Sequence, residues 1–112
     1  MYKKNEMLCL NILEAGKKIV QISKSFNSLE DFEQNSISFD ATLMNFIVIG
    51  EMANKLSVEF RKLNPNVEWE KIISFRNFIA HDYFGIDTEE VWEIMKRDIP
   101  VLLKAISEII PQ

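Results

Sequence analysis

From Leu8 onward, apolar residues return at intervals of three and four: Leu8, Ile12, Ala15, Ile19, Ile22 and Phe26 form one stripe. That period predicts an amphipathic helix with a single face turned to a core. Ser28 followed by Asp31 resembles a capping box with Asp in place of the usual Glu, so a short helix carrying Leu29 and Phe32 should follow. A second long helix is expected from about Ser38 to Leu56. Its apolar positions Phe39, Leu43, Phe46, Ile47 and Ala53 cover an arc wide enough for packing on more than one side. Gly50 sits in its middle, at a cost of roughly 1 kcal/mol relative to alanine. Close approach of another backbone would explain it; chance placement is the alternative.

Pro65 in "LNPN" ends that region, and a new helix should open at Glu68 or Trp69 and leave through "YFGID" at Gly85. Asp87 or Thr88 is placed to cap the next helix, with Glu89 and Glu90 in its first turn. After Asp98, Ile99 and Pro100 are expected to restart the chain as a final helix. Its packing face is Leu102, Leu103, Ile106, Ile109 and Ile110. No stretch alternates as a strand would. The expectation is an all-α fold, an antiparallel bundle of roughly four to six helices forming one domain over residues 1–112.

Composition narrows the function classes. A chain of 112 residues with 47% apolar side chains can bury one core and leaves little room for a second domain. The longest charge-free apolar run, "ATLMNFIVIG", is ten residues, about half a membrane span, so no membrane association is expected. The opening "MYKKNEMLCLNILEAGKK" lacks the pattern of a signal peptide, and the single Cys9 fits a reducing, cytoplasmic setting. With 13 basic and 17 acidic side chains the formal charge is −4, so any contact with nucleic acid has to be local.

Gly-rich phosphate loops, metal-spaced histidines or cysteines and nucleophile elbows do not occur. What remains is "RNFIAHDYFGID", with Arg76, Asn77, His81, Asp82 and Tyr83. Singly, each has a bland reading: a histidine capping carbonyls at a helix end, a surface arginine, an interfacial aromatic. Grouped, they are the functional groups that phosphodiester cleavage needs. Histidine can move a proton from a ribose 2′-hydroxyl or to the leaving oxygen, and arginine can stabilise a pentavalent phosphorane. With the RNA's own 2′-hydroxyl as nucleophile, such a reaction requires no metal or other cofactor. Spacing is the obstacle: at ~100° per residue, Arg76 and His81 lie about 140° apart on a straight helix. Either the helix ends or distorts near His81, as Gly85 suggests, or two copies of the segment meet across a two-fold axis; both are expected.

R-x-x-x-x-H-x-Y, with Asn77 directly after the arginine, resembles the motif of the HepT-like toxins, a branch of the HEPN superfamily of helical ribonucleases. "IGEMANKLS", "NPNVEWEKIISFRNFIAHDYFGID" and "VWEIMKRDIPVLLKAI" extend the resemblance, in order, over nearly the whole chain. It implies a homodimer whose motif segments line a cleft at the interface, acting as the toxin of a type VII toxin-antitoxin system. By the same resemblance Arg76 and His81 would be catalytic in a metal-independent ribonuclease, and Asn77 and Tyr83 would help position RNA. A partner nucleotidyltransferase of the MntA type would neutralise the toxin by adenylylating Tyr83. Asp82 could tune His81 or point away, and Glu51 is either an exposed midhelix charge or a cleft contact. A non-catalytic helical partner of a nucleotidyltransferase is the alternative reading, and an unrelated structural bundle is a third. Messenger and transfer RNA both stay open as substrates.

Overall fold

The structure, a computed structural model, describes residues 3–110. Helices α1 (Lys4–Lys24), α2 (Leu29–Glu33), α3 (Ser36–Lys55), α4 (Val58–Leu63) and α5 (Trp69–His81) are followed by a 3₁₀ turn, Tyr83–Gly85. Then α6 (Thr88–Glu93) runs through a π-turn, Ile94–Asp98, into α7 (Ile99–Ile109). Among the described residues there is no strand, and the all-α expectation holds: counting α6 to α7 as one, six helices are present. None of them is long and apolar enough to cross a membrane.

Local chemistry explains most boundaries. The Ser28 hydroxyl accepts the Asp31 N–H at 3.2 Å, which starts α2 as the capping box predicts. Asn35 Oδ1 accepts the Ser38 N–H at 2.9 Å and opens α3 two residues ahead of the expected Ser38. Ser57 Oγ accepts the Phe60 N–H at 3.1 Å and starts α4, a short helix the sequence pattern did not separate from its surroundings. Asp87, not Thr88, caps α6 by accepting the Glu89 N–H at 3.1 Å.

The final helix begins at Ile99 with Pro100 in its first turn, as expected; what the sequence pattern did not show is that α6 joins it through a π-turn. Ile94 and Ile99 both keep helical dihedrals, and the chain passes Pro100 without a break. A proline ring clashes with the carbonyl four residues back in a regular α-helix and has no N–H to donate. The π-turn just before Pro100 widens the spiral where that clash would fall, so the helix continues.

Phe32 is the hub of one end of the core: its ring meets Phe26 at 5.6 Å, Phe39 at 5.9 Å and Trp92 at 5.2 Å. These contacts set the end of α1 beside the start of α3. At the other end, Asn5 Nδ2 donates to Ser57 Oγ at 3.3 Å and Asn5 Oδ1 accepts the Ser57 N–H at 3.2 Å, so α1 and α3 are antiparallel. Cys9 is buried in this core, and burial, helped by the charge of Glu6, pushes its thiol up to about 11; it is a packing group with little thiolate character.

Helix α5 rests mainly on α3. Phe46 and Phe75 pack edge to face with ring centroids 5.1 Å apart, and of the two explanations open for Gly50, close approach of a neighbouring helix is the one present. A Cβ at position 50 would collide with the stem of Arg76, lying 2.7 Å from its Cγ and 3.3 Å from the Ile72 carbonyl oxygen. The side of α5 facing α7 is left open as a groove of about 690 Å³ lined by Ile72, Phe75, Phe78, Ile94, Val101 and Leu102.

Gly50→Ala therefore sets two effects against each other: about 1 kcal/mol gained in helix propensity and roughly 1–3 kcal/mol lost to overpacking. With the clash against a side-chain stem rooted in the neighbouring helix, overpacking should win. Thermal denaturation is expected to show a melting temperature lower by about 5 °C. A higher melting temperature would mean that α3 and α5 do not approach this closely.

Candidate active site

The motif occupies the second half of α5 and the turn after it. Trp69 anchors the start of the helix, buried and donating its Nε1–H to the Asn64 carbonyl at 3.0 Å. Ile79 is buried further along, which fixes the rotation of α5 and sends Arg76 toward α3. The helix ends after His81, because Asp82 leaves helical geometry (φ −141°, ψ 59°) and its carbonyl accepts the Gly85 N–H at 3.1 Å. The Asp82 carboxylate folds against this turn, and a Cβ at position 85 would lie 2.6 Å from its Cγ, so a side chain there would make it swing aside.

Arg76 is held from two sides. Its Nη2 forms an ion pair with Glu51 on α3, and its Nη1 donates to Asn77 Oδ1 at 3.0 Å. Its Nε is buried and has no hydrogen-bond partner among the described residues. The Arg76 and Glu51 side chains remain about one-third exposed, at 32% and 35%. Glu51 is thus the ion-pair partner of Arg76 and not a free midhelix charge, and Asn77 touches the arginine as an orienting neighbour would. A single Gly50–Glu51 pair on α3 does both jobs, leaving room for the stem of Arg76 and capturing its head.

Tyr83 has a partner that sequence reasoning missed. Its hydroxyl donates to Asp40 Oδ1, across 43 positions of sequence. This bond, then burial and the charge of the carboxylate, hold the phenol above its ordinary value. No short-range pattern announces Asp40; only the antiparallel return of α5 along α3 brings it there. Phe84, beside Tyr83 with rings perpendicular at 5.3 Å, is 98% exposed.

His81 is exposed at the end of α5. Among the described residues, no hydrogen bond or ion pair joins it to Arg76, Asp82 or Tyr83. Arg76 and His81 therefore lie on one helix without converging, as the ~100° helical step requires. Asp82 is directed into its own turn and does not bond to the imidazole. In chemical terms, the segment offers one oriented cation, one unencumbered imidazole and one hydrogen-bonded phenol within eight residues, Arg76 to Tyr83.

The sequence profile of the family described as "Ribonuclease HepT-like" matches residues 12–109. "Putative RNase MJ1380" of Methanocaldococcus jannaschii is 31% identical over 96 residues, covering 86% of this chain and 87% of that protein. "Putative RNase TTE0752" of Caldanaerobacter subterraneus subsp. tengcongensis is 34% identical over 100 residues, covering 89% of this chain and 88% of its own. "Probable ribonuclease HepT" of Thermococcus cleftensis is 29% identical over 92 residues, covering 82% and 83% of the two chains. No solved structure matches the chain significantly.

Proposed function

The chain belongs to the HepT-like ribonuclease family, and on that premise we propose that it cleaves RNA through Arg76 and His81. The observation that carries the reading is the state of the arginine. Its stem is fitted into the notch at Gly50, its head is aimed by Glu51 and Asn77, and an uncommitted imidazole stands at the end of the same helix. His81 takes the proton of a ribose 2′-hydroxyl, the 2′-oxygen attacks the adjacent phosphorus, and Arg76 stabilises the phosphorane. The bond from phosphorus to the 5′-oxygen of the next nucleotide breaks and that oxygen takes up a proton from solvent, giving a 2′,3′-cyclic phosphate and a free 5′-hydroxyl. The nucleophile is supplied by the substrate, so this scheme uses no metal. Asn77 keeps the guanidinium oriented, and Tyr83 lies beside the path of the RNA backbone.

The divergence of Arg76 and His81 on α5 favours a cleft completed by a second copy, in which Arg76 of one subunit meets His81 of the other. As a toxin, the enzyme would be neutralised by an MntA-type nucleotidyltransferase that adenylylates Tyr83, since a bulky anion beside the cleft repels and obstructs an RNA phosphate.

Cleavage of RNA should survive EDTA, fall by about 10²-fold or more in His81→Ala and in Arg76→Ala, and leave 2′,3′-cyclic phosphate ends. Activity lost with chelator and restored by magnesium would refute the scheme. Size-exclusion chromatography with light scattering at micromolar concentration should report a dimer, and a monomer there would remove the composite cleft. Intact mass after incubation with the nucleotidyltransferase, ATP and magnesium should increase by adenylate increments in the wild type and not in Tyr83→Phe. Equal increments on both proteins would place the modification elsewhere.

A further inference from the structure

Tyr83 and Asp40 meet only because of the fold. Helices α3 and α5 are antiparallel, Gly50 facing Arg76 and Phe46 facing Phe75, so the turn after α5 comes back beside the first half of α3. There the phenol donates to Asp40. Among the described residues Asp40 bonds to no other group: no lysine, arginine or backbone amide competes for the carboxylate. Both side chains are solvent-exposed, so a partner protein can reach the phenol while Asp40 still holds it.

A tyrosine that accepts a phosphoryl-linked group has to lose its proton, and an ordinary phenol, with a pKa near ~10, keeps it at neutral pH. This phenol is held higher still, with Asp40 as the main cause, so the neutral form is the reacting species. Such a nucleophile needs a base within hydrogen-bond reach of its oxygen. We propose that Asp40 is the general base that activates Tyr83 as a nucleotidyl acceptor, an inference that rests on the adenylylation reading above. The Tyr83 Oη–H bond breaks and its proton passes to the Asp40 carboxylate. The Oη electron pair forms a bond to the α-phosphorus of a nucleoside triphosphate held by the nucleotidyltransferase. The bond from that phosphorus to the β-phosphate oxygen breaks, and pyrophosphate leaves. Asp40 then releases the proton to solvent, and the product phosphodiester, with no proton to donate, stands beside a carboxylate that repels it. The self-protection device thus lies within the toxin chain: α3 supplies the base, and the motif supplies the acceptor.

Asp40→Asn keeps the size of the side chain and an acceptor oxygen but cannot take the proton. With an MntA-type nucleotidyltransferase, ATP and magnesium, the initial rate of adenylate addition, followed by intact mass, should fall about 10²-fold. Asp40→Glu should regain part of that rate. The exposed position of Asp40 leaves both variants folded, which thermal melting verifies. A second readout needs no partner. Tyr2 and Tyr83 are the two tyrosines, so the difference between the phenol absorbance titrations of wild type and Tyr83→Phe isolates Tyr83. In Asp40→Asn the ionisation of Tyr83 should move down toward the ordinary tyrosine value. A wild type that takes no adenylate would overturn the adenylylation reading and this inference with it. A wild type labelled on Tyr83, with Asp40→Asn labelled at the same rate, would overturn the role of Asp40 and leave the adenylylation reading standing.

Discussion

The crossing of α3 and α5 at Gly50 is the contact on which the candidate site depends. A side chain at that position would push α5 outward by the width of a methyl group, and with it Arg76, whose stem lies in the notch. The next residue, Glu51, then captures the guanidinium. One turn of α3 therefore fixes both the position and the aim of the arginine. The same antiparallel registration carries Tyr83 to Asp40 about three turns away along α3. Packing of Phe46 on Phe75 holds the two helices at this separation, so the geometry of the polar groups is inherited from an apolar contact.

Charge shapes what this site can bind. The chain carries a formal −4, and the described groups around the motif are acidic: Glu51 faces Arg76, Asp40 faces Tyr83 and Asp82 folds over Gly85. A broad electrostatic attraction for RNA is absent, and the proposed reaction relies on a few phosphate contacts close to the arginine. Glu51 has a double effect in that scheme. It keeps a partly buried cation paired while no RNA is present, and it must share the guanidinium with the incoming phosphate. Phe84, almost fully exposed beside Tyr83, and the apolar groove between α5 and α7 are surfaces that a single chain leaves uncovered.

Much of the fold was legible in the sequence because its signals are local. The three-and-four spacing of Leu8, Ile12, Ala15 and Ile19 marks a buried stripe, and those residues are buried. Ser28, Asn35, Ser57 and Asp87 cap helices with their own side chains; the first and last of these were foreseen. The start of α7 at Ile99 and Pro100 was legible, but its junction with α6 through a π-turn was not, because no short sequence window displays such a turn. Of the candidate site, the motif itself was legible and so was the divergence of Arg76 from His81, since both follow from helical geometry. The acidic partners were not. Glu51 offered a weak signal as a charge within an apolar helix, and Asp40 offered none, because its contact with Tyr83 spans 43 residues and exists only once α3 and α5 have paired.

The central claim is that Arg76 and His81 act together in a cleft that two copies of the chain build. Subunit mixing tests it most directly. Arg76→Ala and His81→Ala chains, each inactive alone, are unfolded together, refolded as an equimolar mixture and assayed for RNA cleavage. If the site takes its arginine from one subunit and its histidine from the other, each mixed dimer contains one intact site. The mixture should then recover about a quarter of wild-type activity, half the dimers being mixed and each holding one of two sites. No recovery from a mixture shown to contain mixed dimers would contradict the account.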